Sequence, residues 1–175
     1  LGPRRADELA GFLDAWPSER SALCVEVRDP AWLELEALER LDTLLAEHGA
    51  GRAILDSRPI HEEGDGALPP ALRRKPDLPV LPTAPGPVAM VRFIAHPDVE
   101  RSRRWMREWI APLSRWLEEG RDVYVFVHCP REERAPRLAR ELHDLLAGAG
   151  VLHEPLPWSR NEPTGGSGRQ LQLFS

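Results

Sequence analysis

The sequence predicts an α/β fold with a parallel sheet that is covered by helices. Two observations support this prediction. Segments with apolar residues at helical spacing alternate along the chain with short apolar runs rich in valine, and this alternation is typical of parallel sheets. Polar residues also follow each apolar run. In parallel sheets ligands bind at the carboxyl ends of the strands, which is where these polar residues would lie.

The first half of the chain predicts two helices and two strands. Residues 4–15 and 33–48 carry leucines and other apolar residues on one helical face, which indicates amphipathic helices. The run at 22–27 is short and contains two valines, so we expect a buried strand there. Residues 52–59 form a second predicted strand that ends in polar side chains.

The second half begins with a long loop over residues 61–87, where glycines and prolines interrupt any helical or strand periodicity of apolar residues. A loop of this length in a compact domain is usually functional or disordered. Pro112 should kink the helix in which it lies, because proline lacks the amide hydrogen and clashes with the preceding turn. The elements predicted after the loop are a strand at 88–94, a helix at 102–119, a strand at 122–127 and a helix at 134–147.

Composition excludes several classes of protein. The 175 residues include 23 Lys plus Arg and 28 Asp plus Glu, for a net charge of −5, so no global basic field attracts nucleic acid. We find no apolar stretch long enough to cross a membrane and no secretory leader pattern. Cys24 and Cys129 do not form a metal motif and fit a reducing compartment. We therefore expect a cytoplasmic protein.

The alternation of side chains along each strand predicts one cavity at the carboxyl ends of the strands. On the first strand Glu26 and Arg28 lie opposite the valines, and on the last strand His128 does the same. Asp56 and Arg92 close the second and third strands. We expect these five side chains to converge. The alternative is a structural ion pair between Glu26 and Arg28.

Carboxylates beside imidazoles suit proton transfer. We assign the general base to Glu26 or Asp56 and the general acid to His128 or His96. The same groups suit a divalent metal, but their spacing matches no known metal motif. The sequence therefore predicts no metal site and leaves the cofactor unknown.

Arginines near these groups suit an anionic ligand, because guanidinium groups bind phosphate and carboxylate in a bidentate manner. We expect a small anion, phosphate-like or sugar-like, to bind at this rim, and the sequence leaves open whether a reaction follows. The predicted ligand-binding residues are Arg28, Asp29, Ser57, Arg58 and Arg92.

Five segments of the chain are distinctive: VEVRDPAW at 25–32, LDSR at 55–58, VRFIAHP at 91–97, VFVHCP at 125–130 and the Ala-Pro pair at 135–136. In this order they resemble motifs of the YecE-like proteins, the family of domain of unknown function seventy-two. The resemblance implies a bacterial protein with a TIM-barrel-like fold and no established activity. It also implies that this sequence is the carboxyl portion of the barrel, with about four strands in residues 1–158. Two open sheet edges and an exposed apolar face would then favour partial closure, a homodimer or marginal stability.

The chain ends in a different kind of sequence. Residues 159–175 contain a Gly-Gly-Ser-Gly run, which predicts a flexible tail. The tail carries QLQLF, which resembles the pentapeptide that binds the bacterial sliding clamp. The predicted partner-binding residues are Gln170, Leu171, Leu173 and Phe174. This resemblance implies an alternative function, an accessory protein of DNA maintenance that the clamp recruits. The competing interpretation is a tail that packs on its own barrel.

Overall fold

The computed structural model describes residues 2–61 and 75–157 and contains a four-stranded parallel sheet in the order β1-β2-β3-β4. The α/β class and the order of the predicted elements are confirmed. The strands are β1 Cys24–Val25, β2 Gly51–Asp56, β3 Val88–Ile94 and β4 Asp122–His128. The helices are α1 Ala6–Ala15, α2 Leu35–Glu47, α3 Arg58–His61, α4 Val99–Glu108, α5 Ile110–Glu118 and α6 Ala135–Gly148.

The main core lies between the sheet and α4, α5 and α6. Val91 and Phe93 of β3 are fully buried there with Trp116. The residues of β2 and β4 that pair with Val91 are Ile54 and Val125, and both belong to the same core. Parallel strands that follow each other in sequence order are connected by crossovers of one hand, which places the connecting helices on one face. This arrangement is that of a barrel segment rather than a sheet covered on both faces.

The opposite face of the sheet, here called the inner face, is formed by Met90, Arg92, Tyr124, Phe126 and His128. The rings of Tyr124 and Phe126 are 49% and 48% exposed. Near the ends of β2 and β3 this face is closed by α3, where Ile60 packs against Leu55 and Ile94. The side chains of β4 on the inner face are therefore open to solvent.

Two strands differ from their predicted extents. The predicted strand at 22–27 is reduced to Cys24–Val25, because β1 pairs only with Gly51 and Arg52 at the start of β2. The predicted strand at 52–59 ends at Asp56, and Pro59 lies instead in the short helix α3. Proline is well tolerated in the first turn of a helix, where amide hydrogens have no helical acceptor.

The predicted helix at 102–119 is two helices, α4 and α5, that meet at Trp109. Pro112 lies in the first turn of α5 and cannot donate to the carbonyl of Glu108, so the predicted kink takes the form of a break. The segment also begins earlier than predicted, at Val99, because the Asp98 carboxylate accepts a hydrogen bond of 3.0 Å from the Glu100 amide.

A second core holds α1 and α2 against the start of the sheet. Leu9 and Leu13 of α1 pack with Trp32, Leu41 and Leu45. No helix in the described part of the chain has the length and apolar character needed to cross a membrane. The predicted tail at 159–175 lies outside the described residues.

Candidate functional site

Charged side chains from separate parts of the sheet meet on the inner face. The Glu26 carboxylate accepts a hydrogen bond of 2.7 Å from Arg28 Nε and a second one from Arg92 Nη1. Glu26 directly follows β1, whereas Arg92 lies in the middle of β3. The convergence that the sequence predicts for Glu26, Arg28 and Arg92 therefore occurs. We call these three residues, with His128 and Lys75, the charged cluster.

His128 belongs to the charged cluster because it is the last residue of β4 and lies on the inner face. Partial burial lowers the pKa of its imidazole, and the positive charges of Arg92 and Lys75 lower that pKa further. The carboxylates of Glu132 and Glu26 act in the opposite direction without cancelling this effect, so the ring is neutral at pH 7.

Lys75 was not predicted from the sequence. It lies in the proline-rich connection between α3 and β3, and nothing in its local pattern distinguishes it from a lysine on a solvated loop. The signal appears only when the fold brings this connection close to His128, whose pKa it lowers.

The Glu26 carboxylate stays ionised at neutral pH. Burial acts to raise its pKa, but the hydrogen bonds and charges of Arg28 and Arg92 outweigh burial and hold the pKa below its usual value. Both carboxylate oxygens are occupied by guanidinium donors. Such a carboxylate is a weak base, and its arrangement is suited to orienting the two arginines.

Asp56 does not join the charged cluster, and the prediction that it converges with Glu26 is wrong. Asp56 pairs in register with Phe93, which belongs to the core beneath the helices. Its carboxylate is fully buried and accepts hydrogen bonds of 2.7 Å from Trp109 Nε1 and 2.8 Å from Arg58 Nη2. Asp56 therefore connects the end of β2 to the helix layer.

Ser57 and Arg58 are also held away from the charged cluster by other partners. Arg58 donates a 2.6 Å hydrogen bond to Glu108, and its guanidinium lies 4.3 Å from the centre of the Trp105 ring. Ser57 Oγ is buried and donates to the Pro76 carbonyl at 2.7 Å. In this arrangement both residues stabilise the rim instead of facing an open cavity.

Asp29 and His96 have local structural partners as well. Asp29 Oδ1 accepts a 3.1 Å hydrogen bond from the Ala31 amide and so caps the short 3-10 helix Pro30–Leu33. His96 is buried, and its Nδ1 accepts a 2.8 Å hydrogen bond from the Asp98 amide. Its backbone amide donates to Ser102 Oγ at 2.9 Å. The imidazole of His96 thus organises the start of α4.

Within residues 2–61 and 75–157, no group of three or more His, Cys, Asp or Glu side chains is arranged to hold a metal ion. A cleft of about 540 Å³ lies between α1 and α2, with Trp32 and Leu44 in its wall. None of its lining residues belongs to the charged cluster. The tail residues Gln170, Leu171, Leu173 and Phe174 lie outside the described residues.

Comparison with protein families gives one match over most of the chain. The model of the family described as protein of unknown function DUF72 matches residues 1–161. The UPF0759 protein YecE of Escherichia coli K12 is 34% identical over 149 residues, which are 83% of this chain and 54% of that protein. Its counterpart in strain O157:H7 is 33% identical over the same length. The chain thus spans about half the length of these curated relatives.

Comparison with solved structures gives the same fold. A crystal structure of a DUF72 family protein from Enterococcus faecalis V583 at 2.52 Å resolution matches with a TM-score of 0.60 and 13% identity, over 82% of this chain and 55% of that one. A second structure of that protein, at 3.10 Å, matches with a TM-score of 0.55. Together with the parallel sheet order, these matches confirm the predicted TIM-barrel-like α/β fold.

Proposed function

Since this chain belongs to the DUF72 family, whose function is not known, we propose its function from the site itself: it binds an anionic, phosphate-like or sugar-phosphate-like small molecule at the charged cluster. A fold shared with other proteins does not identify a ligand. The proposal therefore depends on the chemistry of the five clustered residues. It concerns this chain and not the longer relatives.

The observation that supports the proposal is an excess of positive charge at one place in an acidic protein. Arg28 and Arg92 both donate to a single carboxylate, Glu26. The pKa of His128 is lowered first by burial and then by the positive charges of Arg92 and Lys75. The whole chain has a net charge of −5. A local positive field attracts anions even when the net charge of the protein is negative.

The arrangement also suits recognition of an anion by shape. Glu26 holds the guanidinium groups of Arg28 and Arg92 on one carboxylate, which fixes their relative position. Arg28 remains 60% exposed in its side chain, so it presents donors to solvent. Arginine forks bind phosphate and carboxylate oxygens in a bidentate manner. His128 is the member of the cluster that suits proton transfer near neutral pH, and we assign that role to it.

We expect inorganic phosphate to bind the 175-residue chain and R92Q to weaken this binding by about 10- to 100-fold. The reason is that a hydrogen bond to a charged group contributes about 1.5–3 kcal/mol. Binding is measured by calorimetry with inorganic phosphate and a hexose phosphate. A pH titration of the His128 ring by NMR gives a second reading, and the pKa should be higher in R92Q because a positive charge that lowers it is removed.

The matched control is R5Q, which removes the same charge from an exposed ion pair with Glu8. It should leave both phosphate affinity and the His128 titration unchanged, because exposed pairs contribute little. Equal phosphate binding by R92Q and the unsubstituted chain, with both folded by circular dichroism, would refute the proposed site.

We also propose a second function for the tail, recruitment to the bacterial sliding clamp. The family match ends at residue 161, so QLQLF at 170–174 lies beyond the part shared with the DUF72 family. We expect the leucine and phenylalanine side chains of such a peptide to fill an apolar pocket on the partner. This function does not require the charged cluster.

For the tail we expect L173A/F174A to abolish retention of the chain on immobilised bacterial sliding clamp. The double substitution removes both apolar anchors, and such anchors dominate the binding energy of short peptides. Q172A is the control, because this position varies in the motif that the tail resembles. Retention of L173A/F174A at the level of Q172A would exclude the proposed contact, and phosphate binding should be equal in both variants.

A further inference from the structure

The connection over residues 75–87, here called the return segment, leads into β3 without forming a helix or a strand of its own. Every third residue over 76–85 is a proline, and proline has no amide hydrogen to donate to a neighbouring strand. Side chains of the surrounding elements donate to its carbonyls instead, as Arg52 does to the Leu81 carbonyl at 2.8 Å. The position of the return segment therefore depends on side-chain donors.

At the start of the return segment two side chains hold consecutive carbonyls. Ser57 Oγ donates to the Pro76 carbonyl at 2.7 Å. His61 Nε2 donates to the Lys75 carbonyl at 3.1 Å, and it must carry a hydrogen because a carbonyl oxygen only accepts. Together the two hydrogen bonds fix the backbone from which the Lys75 side chain extends.

Both donors belong to a well-packed part of the rim. Ser57 is buried and directly follows β2. His61 is the last residue of α3, whose Ile60 packs against Leu55 and Ile94. Residues whose own positions are fixed by packing can orient the groups that they contact. Ser57 and His61 are therefore suited to determine where the return segment begins.

The register of the sheet places this support at the same end as His128. Asp56, the last residue of β2, pairs with Phe93, and Phe93 pairs with Val127. Strands β2 and β4 therefore end at one rim, and His128 is the last residue of β4. Lys75 is held at this rim, and its positive charge acts on the imidazole.

We propose that Ser57 and His61 are positioning residues that place the ammonium group of Lys75 beside His128. They contact no ligand in this role, because both act through the backbone of the return segment. Removal of either donor frees a carbonyl, and the ammonium group then moves away from the charged cluster. The consequence for anion binding rests on the proposed function, whereas the consequence for the imidazole does not.

The test is the pKa of His128, measured by NMR titration of its ring signals in the absence of phosphate. K75M should raise this pKa, because it removes a positive charge that lowers it. S57A should also raise it, because the lysine is no longer held near the ring. If Ser57 acts through Lys75, S57A has no further effect on the pKa once K75M is present.

A conservative pair of variants separates positioning from a general loss of stability. H61A removes the donor to the Lys75 carbonyl, whereas H61Q retains an amide donor, so only H61A should raise the pKa of His128. S114A is the control for S57A, because it removes the same hydroxyl from an exposed hydrogen bond within α5. It should leave this pKa unchanged.

The other charged groups that act on the ring are Arg92, Glu26 and Glu132, and all of these variants retain them. A pKa of His128 that is equal in S57A and S114A, with both folded by circular dichroism, would overturn the proposal. Equal values in H61A and H61Q would overturn it as well, and this comparison decides the matter where S57A is unfolded.

Phosphate affinity gives a separate reading of the same variants. K75M and S57A should each weaken binding of inorganic phosphate by about tenfold, because a charged donor is lost from the charged cluster. If the unsubstituted chain binds no phosphate, the proposed function fails, but the NMR comparison still decides whether Ser57 and His61 position Lys75.

Discussion

Replacing Asp56 by alanine is expected to lower the free energy of unfolding by about 3 kcal/mol. The carboxylate is fully buried and accepts hydrogen bonds from Trp109 and Arg58. Removal of one member of a buried ion pair typically costs about 3–5 kcal/mol. We expect the lower end of that range, because Arg58 keeps its hydrogen bond to Glu108.

This prediction is measured by urea denaturation, as a lower transition midpoint with an unchanged slope. W109F should show a smaller loss of about 1–2 kcal/mol, because it removes a single hydrogen-bond donor to Asp56. D14A is the control, since the Asp14 side chain is 74% exposed in its pair with His48 and such pairs contribute little. A D56A chain as stable as D14A would contradict the structural role assigned to Asp56.

The parts of the fold that could be predicted from the sequence are those that depend on neighbouring residues. The leucines at 138, 142 and 146 recur at helical spacing, and all three are buried in α6. The valines of β4 alternate with polar and aromatic residues, and they face the helices as expected. The break at Trp109 also has a local cause, because Pro112 affects only its own turn of helix.

The face of the sheet on which the Asp56 side chain lies could not be predicted in the same way. The alternation of side chains determines which residues of one strand share a face, but not how that strand is aligned with its neighbour. A shift of one residue exchanges the two faces. The structure pairs Asp56 with Phe93, so Asp56 faces the helices. Asp56 and His128 each end a strand, but His128 lies on the inner face.

Long-range partners also lay beyond what the sequence could predict. Arg52 is almost completely buried, and its Nε lies 3.0 Å from Asp42 of α2 while its Nη2 donates to the Leu81 carbonyl at 2.8 Å. These partners are on α2 and in the loop after Lys75, so nothing near Arg52 identifies them. The contribution of Lys75 to the charged cluster depends on the same loop.

The second large effect is expected at Gly51, the first residue of β2. A Cβ atom at this position would overlap the Val88 carbonyl oxygen and lie 2.8 Å from Cys24 Sγ. The first obstacle is backbone of the neighbouring strand, which cannot rotate away as a side chain would. We therefore expect G51A to lower the free energy of unfolding by about 3 kcal/mol, the upper part of the range for overpacking.

G11A is the matched control, because a Cβ atom at Gly11 on helix α1 meets no atom within 4 Å. Alanine favours a helix over glycine by about 0.5–1 kcal/mol, so the same chemical change should stabilise the chain at residue 11 and destabilise it at residue 51. Both values come from urea denaturation. A G51A chain as stable as the unsubstituted chain would contradict this prediction, because it would show that β1 and β3 can move away from β2 without loss of stability.

G51A should also weaken phosphate binding, although residue 51 is not in the charged cluster. Gly51 pairs with Cys24, and its amide donates to the Leu23 carbonyl at 2.8 Å, so these contacts determine where β1 lies. Glu26 follows β1 directly and holds Arg28 and Arg92. A displaced β1 would therefore move the carboxylate that positions both guanidinium groups. Calorimetry of G51A under conditions where it is folded should show lower phosphate affinity than G11A, and equal affinities would mean that the arginines are positioned independently of β1.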